Sequence, residues 1–120
     1  MARNVIPVHE MDKYNEAHAF EMTQGGAIDA AEGAEIDFSG RDDKMLIMLQ
    51  NTTGQDVTVT VKAGNGIQGV CDLTVELAEG GMATLALESG RFKNVSGSDK
   101  GKVILAASAA GVGVMVFKLP

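Results

Sequence analysis

Aromatic side chains are nearly missing from this sequence: tryptophan is absent, tyrosine occurs once, at Tyr14, and phenylalanine four times. Glycan and base recognition lean on aromatic faces. A carbohydrate platform would have to rest on Tyr14, Phe20, Phe38, Phe92 or Phe117, and core packing is the expected use of the phenylalanines. The single cysteine, Cys71, excludes an intramolecular disulfide and a cysteine-based zinc site. It is expected as a buried, inert thiol. No apolar run approaches the ~20 residues needed to cross a bilayer, and Met1 to Val8 lacks the apolar stretch of a signal peptide. The chain is therefore expected to fold in a cytoplasm, with no membrane partner. Lysine and arginine number 10 against 16 acids, a formal charge of −6, and no run of basic residues reverses that field locally. Such a field repels a phosphate backbone, so no nucleic acid is expected as a partner.

Proline is equally scarce, at Pro7 and Pro120 only, whereas fifteen glycines punctuate short runs of β-branched residues. That spacing is the mark of strands and turns. Asp56 to Lys62 alternates Val57, Val59 and Val61 with Asp56, Thr58, Thr60 and Lys62, one apolar face against one solvated face. Lys44 to Gln50 is apolar at nearly every position, as in a strand covered on both faces. Asn51-Thr52-Thr53-Gly54-Gln55 between them predicts a β-hairpin. Cys71 to Leu77 repeats the alternation with Leu73, Val75 and Leu77, and Glu79-Gly80-Gly81 predicts a second hairpin with Met82 to Leu87. Val103 to Ser108 and Val112 to Leu119 close the chain as apolar strands around Ala109-Ala110-Gly111.

The N-terminal third is less regular. Weak strands are expected at Asn4 to Val8, Ala17 to Met22 and Glu35 to Phe38. Ala27 to Glu32 has enough alanine for at most a turn of helix, bracketed by Gly25, Gly26 and Gly33. At 120 residues the chain suits one domain. Residues 1–40 are expected as an N-terminal arm or edge segment and 41–120 as the core. Strands joined by short turns, with no room for crossover helices, predict an all-β fold: an antiparallel sandwich or partly open barrel of about seven or eight strands.

Few constellations carry chemistry. His9 and His18 with Glu10, Asp12 and Glu16 match no common zinc spacing, and Asp37, Asp42 and Asp43 lack the spacing of a calcium loop. No Gly-x-Ser-x-Gly motif presents a nucleophile. Gly64-Asn65-Gly66 and Gly97 to Gly101 precede no predicted helix and are expected as turns rather than phosphate cradles. The expectation is therefore a non-enzymatic protein with no cofactor or metal. Its candidate interface is the polar segment from Ala2 to Gln24, an arm or an edge strand, through His9, Glu10, Tyr14, His18 and Phe20.

From Asp43 onward the order of segments resembles a family of short tailed-phage structural proteins encoded beside the major capsid gene. The matching features are an apolar strand, an Asn-containing turn and a Thr-Val strand at Lys44 to Lys62, then a Leu-Thr-Val strand with a Gly turn at Asp72 to Gly81. They continue with Met82 to Leu87, Arg91-Phe92 and Gly101-Lys102-Val103. The resemblance covers about two thirds of the chain. The family's Phe-containing loop often carries prolines, and Ser89 to Gly97 has none. The resemblance implies a virion protein assembled in the host cytoplasm, a head decoration or cement protein. The implied partners are the major capsid protein and further copies of itself, as a homo-oligomer with a trimer possible. A head-tail joining or tail protein and a glycan-binding module are the alternatives.

Overall fold

A computed structural model describes residues 3–11, 13–21, 24–38, 44–67, 69, 71–87 and 89–120. Along the chain run β1 (Asn4–Val5), β2 (Val8–Glu10), β3 (Gly26–Ala27), β4 (Ala34–Asp37), β5 (Met45–Asn51), β6 (Val57–Val61), β7 (Leu73–Leu77), β8 (Met82–Leu85), α1 (Ser89–Phe92), β9 (Lys102–Ala107) and β10 (Val112–Lys118). One sheet has the order β1-β4-β9-β6-β7. The other has the order β2-β10-β5-β8, with β3 also paired to β10. The fold is all-β and sandwich-like. The described strands number ten rather than the expected seven or eight, because β1, β2 and β3 are too short to show a period in sequence.

Alternation places the core between the sheets. Val57, Val59 and Val61 face Met45, Ile47 and Leu49, together with Ala34, Ile36, Val103, Leu105, Val112, Val114 and Val116, all buried. Each large aliphatic side chain so removed from water contributes about 1.5–3 kcal/mol. Phe38 and Phe92 are buried in the same core as expected, whereas Phe20 and Phe117 are half-buried outside it.

Both expected hairpins are corrected. β5 pairs with β8 and β10 in one sheet, whereas β6 pairs with β7 and β9 in the other. The chain at 52–56 therefore arches from sheet to sheet instead of folding back within one. The same holds between β7 and β8, and between β9 and β10, so three crossings share one corner of the sandwich.

Asn51 explains the arches. It is the last residue of β5, on the inward parity of Met45, Ile47 and Leu49, and it is 1% exposed. Its Nδ2 lies 2.8 Å from the Gln55 carbonyl, 3.2 Å from that of Leu77 and 3.1 Å from that of Ala78, sharing two protons among three acceptors. Its Oδ1 accepts from the Thr53 N–H at 2.9 Å. The Thr53 hydroxyl, 2.6 Å from Oδ1 and 2.7 Å from the Gln55 carbonyl, donates to one of them at a time. One buried amide thus ties the first arch to the second. The third joins through Thr52, whose N–H and Oγ1 both donate to the Gly111 carbonyl, at 3.0 and 2.6 Å. Gly111 has φ 103°, and a Cβ there would strike the Thr53 methyl, so glycine is required at this crossing.

Two pairings break the antiparallel expectation: β1 lies parallel to β4, and β2 parallel to β10. Parallel partners need a long connection rather than a turn, and the stretches from β1 to β4 and from β2 to β10 supply it. Residues 3–11 thereby edge both sheets in one pass, with Ile6 buried between them. Residues 17–21 form no strand, against expectation, and Met22 lies outside the described residues. Cys71 is exposed rather than buried, because it precedes β7 in a loop outside the ladder. The alanine-rich stretch makes a turn and no helix. There the Asp29 carboxylate accepts from the N–H groups of Glu32 (2.9 Å) and Ala31 (2.8 Å), and these two bonds hold its pKa below the ordinary carboxylate value.

Asn51→Ala strips partners from carbonyls at two arches, that of Leu77 buried, and is expected to cost about 3 kcal/mol in urea unfolding. Thr52→Val, which loses one hydroxyl bond, is expected to cost about 1 kcal/mol. A lowered folded-state pKa means that the Asp29 contribution is present above the unfolded carboxyl pKa and fades as pH falls through the folded one. The stability gap between the native chain and Asp29→Ala, followed by urea melts from pH 7 downward, is therefore expected to close only in acid.

Candidate interaction surface

The two outer faces of the sandwich differ in kind. On the β6 sheet they carry Thr58, Thr60, Thr74 and Glu76, which pair across strands as Thr58 with Glu76 and Thr60 with Thr74. On the β5 sheet, parity turns Leu46, Met48 and Gln50 outward beside Phe117, Met115 and Gly113. An apolar outer face of this sort is usually covered or used. Here the described residues between Met11 and Gly25 cover part of it. Met115 is only 1% exposed, because the backbone at Gly25 lies directly on its sulfur, too close for any side chain at that position.

The expected interface residues gather at this cover. His9 on β2 sits beside Phe117 in the parallel ladder, and its Nε2–H donates to the Gln24 carbonyl at 2.9 Å. Its ring centroid is 5.0 Å from that of Phe20 and 6.3 Å from that of Phe117, and the two phenylalanines are 5.0 Å apart. These are attractive tilted aromatic contacts. His18 and Phe20, with Met11, Leu46 and Phe117, line a shallow cavity of about 300 Å³. Tyr14 Oη donates to the Pro120 main-chain oxygen at 2.9 Å, and Lys44 Nζ reaches the same oxygen at 2.6 Å. Glu10 lies 3.9 Å from Lys118 Nζ and is exposed. His9, His18 and Phe20 therefore share one aromatic patch, with Tyr14 and Glu10 beside it around the last residues of the chain.

A second surface was not anticipated from sequence. At the end of the β6 sheet away from the arches, residues 62–67 and 89–101 interlock. Gly64 N–H donates to the Arg91 carbonyl at 2.8 Å, and Gly64 sits so close to the Lys93 carbonyl that a Cβ would clash with it. Asn65 offers its side-chain amide as a strand residue offers its backbone: Nδ2 donates to the Ser96 carbonyl at 3.0 Å, and Oδ1 accepts from Val95 N–H at 2.8 Å. Phe92, buried beneath, anchors the pair to the core. The glycine-rich stretches expected to be turns are turns, yet they are locked together. On their tip Ile67 is 100% exposed and Val95 54% exposed. The signal in sequence was Ile67 itself, a large aliphatic residue set among Gly64, Gly66 and Gly69 where a polar one would suit a free turn.

Among the described residues, neither surface shows a nucleophile hydrogen-bonded to a base. The one thiol, Cys71, faces the Arg91 guanidinium at 3.2 Å with no base in hydrogen-bond reach among the contacts of the described residues. Nor do three His, Cys, Asp or Glu side chains gather as metal ligands among the described residues. Of the acids weighed as calcium ligands, Asp42 and Asp43 lie outside the described residues. Comparison of the chain with family models, curated proteins and solved structures gives no match.

Phe20→Ala removes the ring that bridges His9 and Phe117. The patch is half-buried, so the expected loss is about 1.5 kcal/mol, below the cost of a core phenylalanine. Amide exchange at residues 11–21 is expected to quicken while the core strands keep their protection.

Proposed function

We propose that this chain is a virion structural protein, a capsid decoration or cement protein that binds the major capsid protein of a tailed-phage head and works without turnover. The order of segments from Asp43 onward supports the family reading. The observation that carries adhesion is Ile67, wholly exposed on loops that Asn65 and the Gly64–Arg91 bond hold rigid. A fixed apolar tip enters a partner at little cost in chain entropy, whereas a mobile loop would lose that freedom on binding. Many copies bound to an assembled lattice and not to its dissociated parts bias the equilibrium toward the shell. At a free concentration of 100 times Kd that bias is about 2.7 kcal/mol per site.

Co-sedimentation with capsids assembled from the major capsid protein of the proposed phage head tests the proposal. The native chain is expected to pellet with the capsids at saturating stoichiometry and to raise their temperature of disruption. Ile67→Ser is expected to weaken binding by about tenfold, a loss near the burial energy of one large aliphatic side chain. A chain that stays in the supernatant, or that pellets instead with tail structures or an insoluble polysaccharide, would overturn the capsid assignment.

A further inference from the structure

The interlocked loops differ in charge from the rest of the molecule. Residues 62–72 and 89–102 hold five cations, Lys62, Arg91, Lys93, Lys100 and Lys102, against two acids, Asp72 and Asp99, a local charge of +3. The remaining residues hold five cations and fourteen acids, or −9. No run in the sequence shows this reversal, because the fold assembles it from two segments. Both acids are engaged: Asp99 is paired with Arg3, and Asp72 accepts from the Ala63 N–H at 2.7 Å. Lys102 is taken up by Glu35 at 2.6 Å. Lys62, Arg91 and Lys100 are exposed, and Lys93 is half-buried.

Beside exposed Val95, these loops form a shallow depression of about 440 Å³ lined by Lys93, Asn94, Val95, Lys100 and Gly101. We infer that this depression, with exposed Ile67 on the neighbouring loop, receives an acidic protein segment in which Asp or Glu alternates with aliphatic residues. Lys100 takes a carboxylate at the depression within the positive field of exposed Lys62 and Arg91, and Val95 with Ile67 takes the aliphatic side chains. Charge complementarity favours that occupant. A nucleic acid would meet the long-range repulsion of the other −9 charges and find no exposed aromatic ring at the loops on which to stack a base. The uneven charge also sets orientation: a molecule approaching an acidic surface is turned until this end leads.

The inference rests on the adhesive role proposed for these loops and names the chemistry of their partner. Two experiments separate its failure from failure of the capsid reading. The first titrates the full chain with a synthetic Glu-Leu repeat peptide while amide shifts are followed by NMR. Shifts confined to Ile67, Asn94, Val95, Lys100 and Gly101 are expected, with affinity falling by about tenfold between about 0.05 and 0.5 M salt. No shift at these residues, or equal shifts with a Lys-Leu repeat or with duplex DNA, would overturn the inference. The second repeats capsid co-sedimentation with Lys62→Glu/Lys100→Glu, whose affinity is expected to drop by about tenfold or more, while Gln55→Glu, exposed at the opposite end of the sandwich, binds as the native chain does. Capsid binding untouched by the double reversal would overturn the acidic-partner inference and leave the decoration proposal standing. Peptide binding at these loops without capsid binding would do the reverse.

Discussion

The buried amide of Asn51 decides which way the chain turns. A polar side chain with almost no exposure must find its partners inside the protein, since leaving them unmade costs about 1–3 kcal/mol for each group. Here those partners are the carbonyls at Gln55, Leu77 and Ala78. They can surround Asn51 only if the chain leaves the β5 sheet at once and if the β7–β8 crossing stacks against it. Thr52 and Gly111 then bring in the β9–β10 crossing. The ladders continue round the corner on both sides: Asn51 N–H bonds Gly81 on one, and Ser108 N–H bonds Thr58 on the other. The sandwich is in effect one three-stranded ribbon folded in half, with its crease at Asn51.

Gathering three crossings at one corner leaves the other end of the β6 sheet to longer connections. Residues 62–67 and 89–101 meet there, and their position follows from the topology alone, since β6 ends, β7 begins and β9 begins at that end. Once adjacent they are fastened by Asn65 and Gly64, and their lysines accumulate on a chain that is otherwise strongly acidic. The apolar cover over Met115 and the locked loops are thus separate features on separate sheets. The first continues the core outward under the described residues between Met11 and Gly25, and the second projects apolar and cationic groups into solvent.

Much of the strand pattern was legible because a half-buried strand writes its parity into sequence. Val57, Val59 and Val61 alternate with threonines, and each faces inward as alternation requires. Parity says which residues share a face, but not which sheet a strand joins, and a five-residue link suits a hairpin or an arch. The sign that would have separated them is Asn51, on the inward parity of β5, but the run from Met45 to Leu49 is apolar at every position and hides that parity. Four strands before residue 38 were only partly legible, being two to four residues long and fixed by partners far along the chain. In the expected interface, His9 and Phe20 stood out as aromatic residues in a polar segment, while Phe117, which completes their cluster, was expected in the core. Ile67 and the gathered lysines are tertiary features. Fifteen or more residues separate their segments, so only the fold makes them neighbours.

The side-chain amide protons of Asn51 provide the most direct measurement. If Asn51 is the crease, they exchange with solvent only on global unfolding and show nuclear Overhauser effects to Leu77, Ala78 and Gln55, while Leu49 shows them to Ala83 and Val114 across its own sheet. Rapid exchange of that amide, together with cross-strand effects that pair β5 with β6 as a hairpin, would contradict the account.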